Sequence, residues 1–219
     1  MSTGVAVRPL DRVPAVELVA APDLGSADAA RVEAERRRLG AHPAMFDGPI
    51  LMVRAAAPDR LVVYAATYAW HTADRARPLP ATAGALGVQL AMVGDGGAIL
   101  WQRRTEAVDH PGGWTISVAG CAVPGVDLER QIVAEAAEEL GLGRGDLEGL
   151  APLALVESER GRTVQVVFRA RLRAGATAAL RESEVAEVRF GRDLPELGSV
   201  ETLTASWWRE LVRLATEDE

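Results

Sequence analysis

The chain has 219 residues, 48% hydrophobic and 25% charged, with a net charge of −7 and a pI near 5.1. That length can bury one good core, or a modest domain plus an extension, and the acidic balance argues against a nonspecific nucleic-acid binder. No apolar run approaches the ~18 residues of a membrane span, and "MSTGVAVRPLDRVPAVELVA" lacks a signal peptide's basic start and long apolar centre, so a cytoplasmic enzyme is expected. Cys121 is the only cysteine, which excludes an intrachain disulfide and a Cys-based zinc site. With no histidine adjacent in sequence, it reads as a small packing residue rather than a nucleophile. His42, His71 and His110 do not form a metal-ligand spacing.

In chain order, residues 26–39, "SADAARVEAERRRL", read as a charged helix capped by Ser26 or Asp28 and broken by "AHPAMFDGP". Strands are expected at about 50–55 and 60–67. "RARPLPATAGA", rich in proline and small residues, is the clearest boundary. "ALGVQLAMVGDGGAILWQRR" reads as two strands around a "GDGG" turn. A Gly/Pro loop beginning at Gly120 then leads to a helix with Asp127 as N-cap and Gly141 as C-terminal stop. "GRTVQVVFRARL" reads as a further strand, and "VETLTASWWRELVRLATEDE" as a helix with Trp208, Leu211 and Leu214 facing the core. Strands alternating with two or three helices imply helices packed around a mixed sheet.

Within the central helix stands "EAAEELG", Glu135 to Gly141. At about 100° per residue, Glu135, Glu138 and Glu139 share an arc of about 100°, while Ile132, Val133, Ala136, Ala137 and Leu140 take the opposite side. Like charges at that spacing repel. A solvated acidic stripe satisfies the pattern, and so does a site for a hard divalent cation, Mg²⁺ or Mn²⁺, whose charge cancels the repulsion.

The run from Gly120 to Leu142 resembles the signature of the Nudix hydrolases: Gly, five residues, Glu, seven residues, Arg-Glu, an aliphatic residue, any residue, Glu-Glu, any residue, Gly, and an aliphatic residue. Gly120, Glu135, Glu138, Glu139, Gly141 and Leu142 match in register. Val126 stands where the family has its first Glu, Ala134 where it has Arg, and the aliphatic position after Glu135 is the small Ala136. Losing both members of an ion pair costs far less than losing one, so the joint change reads as substituted support, with Arg130, one turn before Ala134, as a replacement cation. The upstream words "RLGAHPAMFDGPILMV" and "LVVYAATYAW" look like the N-terminal extension of a subgroup that hydrolyses UDP-glucose and UDP-galactose.

The resemblance implies an α/β fold, a Nudix-type α/β/α sandwich with a mixed sheet, in residues 85–219, preceded by an N-terminal α+β extension in residues 1–84. It implies metal-dependent hydrolysis of a nucleoside diphosphate linked to another moiety, above all a nucleotide sugar, to a nucleoside monophosphate and a sugar 1-phosphate. Glu135, Glu138 and Glu139 would be both metal ligands for Mg²⁺ or Mn²⁺ and catalytic residues. Gly120, Arg103 and Arg104 would serve substrate binding, the arginines by forked donors to phosphate, although solvated residues at a strand end fit their position equally. Glu157, Glu159, Glu182 and Glu184 are candidate general bases or plain surface charges. Trp70 and His71 either stack on a base or sugar, or pack the extension onto the main domain. The expected partner is a small-molecule diphosphate, with no nucleic acid and no membrane, and such enzymes are often homodimers. Two alternatives stand beside this one: a scaffold that has lost catalysis and binds a ligand or regulates, and an enzyme of specialised metabolism acting on another diphosphate.

Overall fold

The computed structural model describes residues 4–41, 47–105, 114–159, 161–179, 185–191 and 205–217, without the side chains of Arg104 and of residues 205–208. The strand β5 (Gly84–Val93) is apolar along nearly its whole length and buried on both faces, the pattern of a central strand. It pairs in parallel with β10 (Thr163–Leu172), from Thr163↔Ala85 to Arg171↔Val93, and antiparallel with β8 (Val118–Cys121), from Gly87↔Cys121 to Leu90↔Val118. From β10 the sheet continues through β9 (Leu147–Ser158) to β1 (Val5–Pro9). On the other side, β3 (Pro49–Ala57) joins β5 through Met52↔Ala85 and Val53↔Gly84, followed by β4 (Arg60–Thr67) and β2 (Ala15–Leu18). A branch adds β6 (Ile99–Arg104), β7 (Trp114–Ile116) and β11 (Val185–Gly191). The strands of residues 1–84 thus share one mixed sheet with those of residues 85–219.

The helices are α1 (Ser26–Gly40), α2 (Tyr68–Ala76), α3 (Leu128–Leu140) and α4 (Ala205–Thr216). Leu86, Val88, Leu90 and Met92 of β5 pack in one cluster with Leu128, Ile132, Ala136 and Leu140 of α3. Ala91 and Val93, on the alternate face, pack with Leu211 and Ala215 of α4. Helices therefore lie on both faces of a mixed sheet, which is the α/β architecture expected. Among the described residues no helix is long and apolar enough to cross a membrane.

Several local expectations need correction. The α1 N-cap is Gly25 with no side-chain cap; Asp28 instead accepts from Arg31 at 2.7 Å. The two strands around "GDGG" do form, as β5 and β6, but their mutual pairing is short. They meet at Val93↔Ile99, and β5 spends its hydrogen bonds on distant strands. The words after β4 contain the helix α2, which the β-rich lead-in conceals. Of the C-terminal core positions, Leu211 is fully buried and Leu214 packs at the margin, whereas the Trp208 side chain lies outside the described residues, as do His42 and His110.

The buried link between the early elements and β10 is polar. Asp74 of α2, at 0% exposure, accepts from Arg162 Nε at 2.9 Å and from its terminal nitrogen at 3.1 Å, and the Leu79 N–H donates to the same carboxylate at 2.7 Å. Arg162 also donates to the Thr82 carbonyl at 2.8 Å.

Candidate active site

The central helix is anchored at both ends by its own sequence. Asp127 has extended backbone, and its Oδ1 accepts from the N–H groups of Glu129 at 2.9 Å and Arg130 at 3.1 Å, which satisfies donors the helix start leaves open. At the other end Gly141 adopts φ 68°, ψ 20°, a left-handed stop in which its N–H reaches Ala137 O at 3.1 Å and Leu142 N–H reaches Ala136 O at 3.1 Å. Both caps are those the sequence announces. They fix how the three glutamates are presented.

The three carboxylates are not presented alike. Glu138 is exposed, Glu135 is half-buried, and Glu139 is only 5% exposed. The buried arc of α3 runs over Leu128, Ile132, Ala136 and Leu140 and takes in Glu139, while Ala137 faces solvent. The clean division into an acidic face and an opposite apolar face is therefore corrected: Glu139 sits inside the apolar arc, tolerated because a polar partner waits on the sheet. That partner is Gln102 of β6, fully buried, whose Nε2 donates to Glu139 Oε2 at 2.8 Å.

Glu135 is held from two sides. Gln131, one turn earlier, donates from Nε2 to Glu135 Oε1 at 2.7 Å. Gly120 in β8 lies so close beneath that a Cβ there would stand 2.1 Å from Glu135 Oε1 and 2.6 Å from Oε2. The absent side chain is the space the carboxylate occupies. Gly120, Glu135 and Glu139 thus share the interface of α3 with the sheet.

Sequence reasoning passed over Gln131 and Gln102. The first was detectable as the residue four positions before Glu135 on a helix. The second breaks the alternation of β6, where Leu100 and Gln102 point to the α3 face and Ile99 and Trp101 to the other.

The other predicted residues fall elsewhere. Alternation turns Arg103 away from the α3 face, and its Nε pairs with Glu187 Oε2 of β11 at 3.1 Å. The Arg104 side chain lies outside the described residues, as do Glu182 and Glu184. Glu157 is ion-paired with Arg8, and Glu159 is exposed beside Gly4. Trp70 stands edge-on to Tyr64 at 5.8 Å and packs on the cluster of Ile50, Met52, Tyr64 and Ala85. His71 is buried beside Tyr68, 5.6 Å between rings. The packing role for Trp70 is what forms, and Cys121 packs against the same cluster. Val126 is 40% exposed, and Ala134 and Arg130 are exposed, so neither altered position has been repacked into an apolar interior.

The donor chemistry suits a hard divalent cation, with three carboxylates within about one turn of helix. Convergence does not follow as the side chains stand. Among the described residues no three of His, Cys, Asp or Glu are grouped to hold an ion, since Glu138 points to solvent and Glu139 to Gln102.

No protein-family model and no curated protein matches the chain. Among solved structures it is similar to a MutT NUDIX hydrolase from Burkholderia pseudomallei, at 21% identity over 60% of this chain and 98% of that one, TM-score 0.46. It is also similar to the Nudix hydrolase RenU from M. smegmatis, at 22% identity over 62% and 87%, TM-score 0.47. A third is an Ap4A hydrolase from C. elegans, at 14% identity over 61% and 96%, TM-score 0.46. At that level the likeness is one of chain path and says nothing of substrate.

Proposed function

We propose that this chain hydrolyses a nucleoside diphosphate linked to another moiety, in particular a nucleotide sugar such as UDP-glucose, giving a nucleoside monophosphate and a sugar 1-phosphate. The observation that supports the reading best is the contact of Gly120 with Glu135. A glycine reserved for a carboxylate, at the spacing the Nudix-like sequence prescribes, is what a reactive acidic site requires and what a solvated stripe does not. Glu135, Glu138 and Glu139 would hold Mg²⁺ or Mn²⁺, which when bound neutralises diphosphate charge and lowers the pKa of a bound water. The chain's own contribution is positioning. The caps at Asp127 and Gly141 set the helix, and the amides of Gln131 and Gln102 orient two carboxylates before substrate arrives.

A second reading is favoured by one observation, the burial of Glu139 against Gln102 without a converged group of three among the described residues. On that reading the chain binds a diphosphate ligand and does not turn it over. The two separate when purified protein is incubated with Mg²⁺ or Mn²⁺ and a panel of nucleotide sugars, nucleoside triphosphates and dinucleotides, and the products are resolved by chromatography. UMP with sugar 1-phosphate, absent from Glu139→Gln, supports hydrolysis at this cluster. Ligand binding without product supports the scaffold. Wild-type rates from both Glu135→Ala and Glu139→Gln would remove the site assignment altogether.

A further inference from the structure

The strand β6 carries a fully buried amide where its pattern calls for an apolar side chain. Leu100, two residues earlier on the same face, packs in the core beneath α3, and Gln102 occupies the next position at 0% exposure. Burying an amide is unfavourable unless both of its ends are bonded. Here one end is: Nε2 donates to Glu139 Oε2 at 2.8 Å, while Oε1 has no hydrogen-bond partner among the described residues. An aliphatic residue of similar volume would avoid that cost, were the position purely one of packing.

The donated hydrogen bond is directional, and what it fixes is the plane of one carboxylate. Glu139 projects from the last turn of α3, has several torsions of its own, and lies in the buried arc that Ile132, Ala136 and Leu140 share. A buried amide on a rigid strand supplies a polar direction there. The cost of the unbonded Oε1 is then retained for orientation and not for stability.

We infer that Gln102 is the positioning residue of Glu139, acting on the reaction through that carboxylate and not by touching substrate. The inference rests on the hydrolytic reading above. It adds a residue outside the stretch that resembles the Nudix signature, on a strand that sequence alone assigned to substrate contact through the neighbouring arginines.

The test compares wild type with Gln102→Met, which keeps length and volume and removes the donor, and with Gln102→Leu as a second apolar variant. Three quantities are read: thermal unfolding without metal, Mn²⁺ affinity by electron paramagnetic resonance titration, and kcat and KM on the best diphosphate of the panel. The expected result is unchanged or raised unfolding temperature for at least one variant, Mn²⁺ binding weakened by about 10–100-fold, and a fall in kcat with KM for the diphosphate little altered. Wild-type affinity and kcat in a folded variant would overturn the role, leaving Gln102 as a structural partner. Loss of folding in both variants would overturn it too, because the amide would then be needed for stability. If the wild-type protein itself neither binds Mn²⁺ nor turns over any diphosphate, the hydrolytic reading fails first and this role fails with it.

Discussion

No side chain fits between Gly120 and Glu135. A methyl group at position 120 would stand 2.1 Å from Glu135 Oε1 and 2.2 Å from its Cδ, inside any van der Waals contact. The atoms in the way belong to the far end of a flexible side chain, so Gly120→Ala is expected to displace the carboxylate and leave the fold intact. A misplacement of about 1 Å at a reacting centre costs on the order of 10²-fold in rate. Steady-state kinetics on the best diphosphate, with the melting temperature alongside, check this: kcat/KM should fall by about that factor while melting shifts by only a few degrees. Full activity in Gly120→Ala would separate Glu135 from the chemistry.

A different pair governs stability. Asp74 has no solvent exposure, and Arg162 meets it with two nitrogens while also holding the Thr82 carbonyl. Removing one partner of such a pair leaves a buried charge unbalanced and costs about 3–5 kcal/mol. Asp74→Ala, followed by urea unfolding, should show that loss, with the Leu79 N–H deprived of its acceptor as well. Gly84→Ala should be similarly severe. There the backbone has φ 128° and a Cβ would stand 2.1 Å from the Arg162 carbonyl oxygen, an atom that cannot swing aside. A change below about 1 kcal/mol in either variant would mean that this junction is looser than its hydrogen bonds imply.

What could be read in advance was local, and what could not was the company each element keeps. Asp127 and Gly141 announce the ends of α3 because capping is a short-range requirement of the backbone. Helix α2 escapes a local reading because the β-rich lead-in of β4 runs straight into it, and its start is fixed from outside by Asp47, whose Oδ1 accepts the Ala69 N–H at 2.7 Å, and by the Gly48 carbonyl bonded to Tyr68 N–H. The pairing of β5 with β10 joins residues about eighty positions apart, which no periodicity encodes. The seven-residue spacing from Ile132 already sets Glu139 at the edge of the buried arc. What no local pattern discloses is its partner, Gln102, a residue of another element.

Asp47 gives the pH dependence a definite sign. Burial opposes its ionisation, yet the Ala69 amide and the Arg36 guanidinium at 2.9 Å outweigh that and hold its carboxyl below the ordinary range. A group whose pKa is lower folded than unfolded contributes stability above the unfolded value and loses it as pH falls through the folded one. The expected outcome is an acid-side loss that begins below about pH 4. Asp47→Ala should be less stable than wild type at neutral pH and should show a shallower decline in acid. Urea unfolding of both proteins from pH 7 down to about pH 3 decides it, and parallel curves would exclude Asp47 as a source of the dependence.

The two departures from the Nudix-like signature can be reversed together. Val126 is 40% exposed and Ala134 faces solvent from α3, so neither side chain is held in an apolar contact that a longer polar one would disrupt. Surface replacements of that kind usually change stability by no more than about 0.5 kcal/mol. Val126→Glu with Ala134→Arg should therefore fold with unchanged cooperativity, as read by urea denaturation. Its kinetic consequence is the informative part. If the amides of Gln131 and Gln102 already orient Glu135 and Glu139, restoring the charged pair should change kcat by less than about threefold, since the orientation it would supply is present. A rise of tenfold or more would instead mean that the amides hold the carboxylates in place without holding them in the reactive geometry, and that the missing charges limit the rate of this chain.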